Sequence, residues 1–122
     1  MTISELLIWQ RSGYPRYHAS RANLLLHVVV VPMFLLGNVG LLVALLERSL
    51  LLGIAALVAM IVSVALQGAG HRREQVPSEP FTSRGNAVSR ILLEQWITFP
   101  GFVISGGWLR ALRGTSDRAM RN

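Results

Sequence analysis

The chain has no cysteine and no lysine among its 122 residues. Without cysteine there is no disulfide scaffold, thiolate metal site, iron–sulfur cluster or cysteine nucleophile. Acidic residues are also scarce, six against twelve basic ones, and every basic residue is Arg. Charged residues make up only 15% and hydrophobic ones 52%. That is too apolar for a disordered chain, and the length is too small for a multidomain enzyme.

What is present is apolar sequence gathered into runs. Ala22 to Leu46 gives twenty-five residues without Asp, Glu, Lys or Arg, and Ser49 to Gly70 gives twenty-two more. A bilayer core about 30 Å thick needs roughly 20 helical residues. Both runs are long enough. The alternative is a pair of buried core helices in a soluble bundle, but a chain this short has too little sequence to wrap two helices that are apolar all round. The reading is an all-α integral membrane bundle with a single helical membrane domain over 1–113.

The arginines orient it. Arg11, Arg16 and Arg21 precede the first run, and Arg72, Arg73, Arg84 and Arg90 follow the second. The positive-inside rule puts both ends of the hairpin in the cytoplasm, and the Glu47–Arg48 turn outside. The basic residues flank apolar runs instead of lining a polar face, which favours anionic lipid over nucleic acid as partner. At the N-terminus, Thr2 and Glu5 have capping-box spacing. Ile3, Leu6 and Leu7 share a face near Trp9, which predicts an interfacial helix ended by Gly13-Tyr14-Pro15 rather than a cleavable signal. The segment Ile91–Leu109 carries Glu94, Pro100 and several small residues. It is expected as a re-entrant or interfacial helix broken near Pro100, followed by a polar tail over 114–122. The small residues at Gly101–Gly107 are a possible homo-oligomer contact.

The topology gathers the histidines. His18 precedes the first span, His27 lies inside it and His71 follows the second, so all three fall at the cytoplasmic end. Neutral imidazole binds Fe, Zn, Cu and Ni, which makes a metal site the natural hypothesis. His18 and His27 are nine residues apart, about 180° round an ideal helix. Both reach one ion only if His18 lies outside the regular helix. Asn23 shares a face with His27 and could orient an imidazole, accept a substrate hydroxyl, or simply cap or join helices. Glu74, three after His71, could be a fourth ligand, an orienter or proton acceptor, or the partner of a neighbouring Arg. Gln67 is a candidate substrate or interhelical contact, while Gly68 and Gly70 could let a helix or a substrate chain approach closely. Arg72 and Arg73 could pair with a carboxylate or anchor lipid headgroups.

Tyr17-His18, Asn23 and His27 followed by Pro32 form an H-x4-N-x3-H block, and Gln67, Gly70-His71, Glu74 and Pro77 form a Q-x2-GH-x2-E-x2-P block. With Glu94 to Pro100 and Ser105 to Trp108, they resemble the family of small membrane proteins typified by the yeast 2-hydroxy fatty acid dioxygenase, over roughly 14–112. The resemblance implies an Fe(II) enzyme that uses O2 to shorten 2-hydroxy fatty acids by one carbon in fatty acid alpha-oxidation. It assigns iron to His18, His27 and His71, and the motif carboxylate to Glu74. A short bacterial-type member would be a multi-pass protein of the cytoplasmic membrane with both termini cytoplasmic. The alternatives are a haem-binding anchor or a structural membrane protein without enzymatic activity.

Overall fold

The computed structural model describes the backbone of residues 1–121 and the side chains of residues 1–114. It is all-helical, and no strand occurs among the described residues. Helix α1 spans Ile3–Tyr17, α2 Arg21–Glu47, α3 Leu50–His71, α4 Arg84–Leu93, α5 Phe99–Ile104 and α6 Gly107–Arg121, with a π-helical turn at Glu94–Thr98.

The Thr2 capping box forms as expected: Glu5 N–H donates to Thr2 Oγ1 at 3.2 Å, and Thr2 N–H to Glu5 Oε2 at 2.6 Å. Helix α1 does not stop at Gly13-Tyr14-Pro15. It runs on to Tyr17, because Pro15 is near the end and removes only one backbone bond. Its buried stripe is Leu6, Gln10 and Tyr14, four residues apart, while Ile3 faces outward.

Helices α2 and α3 are both long and apolar enough to cross a membrane. Only 28% and 17% of their most apolar windows are buried inside the molecule. Two core helices of a soluble bundle would be covered, so the exposed apolar faces favour a lipid surrounding. Arg48, in the left-handed region at φ 53°, ends α2, and Ser49 caps α3 by accepting Leu52 N–H.

The buried positions of α2 include Asn23, His27, Val30, Phe34, Gly37 and Ala44, and those of α3 are Ala56, Ser63, Gln67 and Gly70. Both sets keep the steps of three, four and seven that form a narrow seam. Small residues let the backbones approach. A side chain on Gly37 would place its first carbon 2.6 Å from Met60 Cγ and 3.0 Å from the Ala56 carbonyl. Gly37→Leu should therefore pry the hairpin apart and cost about 1–3 kcal/mol, read as a lowered unfolding midpoint in mixed micelles. An unchanged midpoint would show that the seam does not bear on stability.

Beyond α3 the chain departs from expectation in two respects. Pro100 does not break the third apolar segment. It sits directly after the π turn inside one continuous helical run, where the shifted hydrogen-bond register of the π turn accommodates a missing N–H. The break falls at Ser105–Gly106, where Gly106 takes φ 84°. Helix α6 then carries the backbone to Arg121 through the region expected as a tail; the side chains of 115–122 lie outside the described residues. Trp108 Nε1 donates to the Leu24 carbonyl at 2.9 Å, which docks α6 on α2. Tyr14, Val31 and Phe99 form a small core, with Phe102 and Trp108 packed against it.

Candidate metal centre

Four side chains converge beside that core. His18 caps the end of α1, His27 lies in the second turn of α2, His71 is the last residue of α3, and Glu94 opens the π turn. One nitrogen or carboxylate oxygen from each lies within 4.8 Å of all the others. His18 has φ −132° and ψ 61°, outside both helices, which removes the conflict of the nine-residue spacing. The three imidazole centroids are 4.7–5.1 Å apart, and the ring planes meet at 83–90°. Mutually perpendicular rings around one point suit an ion among them better than they suit stacking.

The hydrogen bonds fix which nitrogens face inward. His18 Nδ1 lies 2.9 Å from the Tyr14 carbonyl, and His27 Nδ1 lies 2.9 Å from the Asn23 carbonyl. A carbonyl only accepts, so each Nδ1 carries the proton and each Nε2 keeps its lone pair. Those two Nε2 atoms, and Nδ1 of His71, are buried without a hydrogen-bond partner. Imidazole held by a backbone carbonyl on one nitrogen, with the other free, is the arrangement metal-binding histidines adopt.

Glu94 completes the set. Its Oε1 lies 3.5 Å from His18 Nε2, and it accepts the Tyr14 hydroxyl at 3.1 Å. Burial alone would raise this carboxyl; the contact with His18, and positive charge at the His18, His27 and His71 positions whenever a proton or cation is held there, outweigh it and lower it. Burial, and then the Glu94 charge, push the Tyr14 phenol well above its usual range, so it stays a donor. Tyr14 also stacks on His18, with centroids 3.7 Å apart.

Glu74 is elsewhere. Its carboxylate accepts the backbone N–H groups of Ala19 and Ser20 at 2.8–3.1 Å and Asn23 Nδ2 at 3.0 Å. The carboxylate beside the histidines is Glu94, and Glu74 ties the end of α3 to the start of α2. Asn23 is fully buried next to Gly70, where its side chain fills the space a β-carbon would need; it meets the cluster only through its carbonyl. Gln67 serves an interhelical network, donating to Ser63 Oγ at 3.0 Å and exchanging two hydrogen bonds with Gln95 at 2.7 and 2.9 Å.

A cavity of about 480 Å³ opens onto the cluster, with His18, His71 and Glu94 in its wall. Arg72 lines it and Arg73 does not. Gln67, Trp9, Phe81 and Arg90 also line it. Glu94, Tyr14 and Arg90 were not singled out as site residues from sequence. The available signal was a lone carboxylate inside an apolar segment, which tends to mark function. The π turn that presents it is a second such mark, visible only in the fold. Comparison with known proteins finds no family model, no curated protein and no solved structure that matches this chain.

Proposed function

We propose that the chain is an Fe(II)-dependent membrane dioxygenase that shortens 2-hydroxy fatty acids by one carbon with O2. The observation carrying this reading is the convergence of three buried, unpartnered imidazole nitrogens on one carboxylate. Each buried acceptor without a donor costs about 1–3 kcal/mol, and a bound cation relieves all of them at once. A donor set of imidazoles and one carboxylate suits non-haem iron, which His18, His27, His71 and Glu94 would hold. Iron held there supplies the activation of dioxygen. The reaction balances as one 2-hydroxy acid plus one O2 giving the shortened acid, CO2 and water.

The chain's own residues supply binding and orientation. The Tyr14 hydroxyl holds one oxygen of Glu94, and two backbone carbonyls hold the His18 and His27 rings. Trp9, Val64, Pro80, Phe81 and Ile91 give the cavity apolar walls for an acyl chain. The arginine distribution supports an orientation with the histidine end of the hairpin and both termini on the cytoplasmic side, and the resemblance implies a bacterial cytoplasmic membrane. A haem-binding anchor is the weaker reading. Four donors closing on one point from different elements leave no flat slot for a porphyrin between two of them.

Protein loaded anaerobically with Fe(II) and then given O2 and 2-hydroxypalmitate should release a fifteen-carbon acid and CO2, detected by mass spectrometry. His71→Ala should abolish both products. Iron-loaded wild-type protein that leaves the substrate intact would overturn the reading, and a Soret band in the purified protein would favour haem.

A further inference from the structure

The cavity has one wall that is also the outside of the molecule. Leu57, Ile61, Val64 and Gly68 follow one another on α3 at steps of four, three and four, and so share a helix face. Leu57, Ile61 and Val64 are 45%, 67% and 36% exposed. Val64 and Gly68 also line the cavity that reaches the histidines. The stripe thus runs from the middle of a membrane-length helix up to the cavity mouth without interruption. The stripe ends in open space at Gly68, where a β-carbon would meet nothing within 4 Å.

Arg72 caps the end of α3, its backbone N–H donating to the Gly68 carbonyl at 3.2 Å, and lines the same cavity with no side-chain partner among the described residues. The cavity is also lined by a strap, Pro77 to Phe81. Arg90 donates to the Glu79 and Pro80 carbonyls at 2.9 and 3.0 Å, and its guanidinium lies 4.9 Å from the Trp9 ring centre and 4.5 Å from that of Phe81. Four contacts on one guanidinium pin the Pro77–Phe81 loop over the cavity.

We propose that the cavity is loaded sideways from the bilayer, along the α3 stripe, by a single-chain lipid acid, with the bare position at Gly68 as the aperture for its acyl chain. Apolar stripe, gap and free guanidinium follow in the order of such a molecule's tail, upper chain and acidic head. The inference rests on the lipid-acid reading above and adds the route and the residue that gauges it.

Full-length protein in nanodiscs, titrated with 2-hydroxypalmitate against a fluorescent fatty acid probe, tests it. Gly68→Ala, Gly68→Leu and Gly68→Phe should weaken binding in that order. The last should lose at least about tenfold, as chain methylenes leave apolar contact. Metal content should stay at the wild-type level in all three, and so should competition by 2-hydroxybutyrate, whose chain never reaches the aperture. Gly68→Ala adds one methyl group to open space, so its folding is preserved and it reports the direction by itself. Equal binding of 2-hydroxypalmitate by wild type and the Gly68 variants would overturn the aperture and leave the lipid-acid reading standing. Wild type that binds no long-chain acid at all would overturn both.

Discussion

Metal affinity falls by about a hundredfold or more when Glu94 is replaced with Gln, a larger loss than removing a residue that merely supports a ligand. The amide has the shape of the carboxylate and still offers an oxygen to the Tyr14 hydroxyl, so packing is retained. What disappears is the negative charge. The three imidazoles facing the cluster are neutral donors, and Glu94 is the one carboxylate among them. A divalent ion held by neutral groups in a buried site lacks the compensation that burial of charge demands. Chelator competition with Fe(II) under anaerobic conditions measures the loss. Glu74→Gln is the contrast, expected within a few-fold of wild type because that carboxylate faces backbone N–H groups instead of the histidines. The reverse pattern, with Glu74→Gln losing the metal and Glu94→Gln keeping it, would sink the assignment.

That pair of carboxylates also marks how far the sequence could be read. The two long helices, the hairpin and the gathering of His18, His27 and His71 followed from hydropathy and connectivity, which are local or topological signals. So did the need for His18 to leave the helix, a demand of helical geometry that the observed φ and ψ meet. The choice of carboxylate was not legible. Glu74 shares a face with His71 only if α3 continues, and α3 ends at His71. No glycine or proline directly follows His71 to announce that end. Arg72 to Glu74 instead turn back, with Arg73 N–H donating to the Gly70 carbonyl and Glu74 N–H to the His71 carbonyl at 3.0 and 3.1 Å. Glu94 arrives from a later segment by docking of the π turn against α1, α2 and α3, a long-range event with no periodic signature.

The same reasoning explains Pro100 and the glycines. A proline in an apolar segment suggests a break, but the chain places it directly after the π turn, whose shifted hydrogen-bond register accommodates the missing N–H. The break moves to Gly106, whose positive φ a residue with a side chain would resist. Gly68 and Gly70 look equivalent in sequence and have opposite surroundings. Gly70 is filled against Asn23, and Gly68 is open. Burial, which only the fold supplies, separates a packing glycine from a cavity glycine.

Glu74→Ala should destabilise the fold by about 2–4 kcal/mol, the cost of removing a charged acceptor from several N–H groups at a helix start. One carboxylate there serves three donors: the backbone N–H of Ala19, that of Ser20 and the Asn23 amide. The negative charge also sits at the N-terminal end of α2, where aligned peptide dipoles favour it. Ala offers none of these donors an acceptor, and the tie between the end of α3 and the start of α2 is lost. Asn23 packs against Gly70 and holds His27 through its carbonyl, so the loosening reaches the cluster from beneath. Glu74→Gln keeps one acceptor oxygen and should lose about half as much stability, since the charge-assisted share of each bond is what goes. Unfolding in mixed micelles, followed by far-ultraviolet circular dichroism, ranks the two variants against wild type. Midpoints ordered wild type, Gln, Ala confirm a structural tie; an Ala variant as stable as wild type, with metal binding gone, would return Glu74 to the metal.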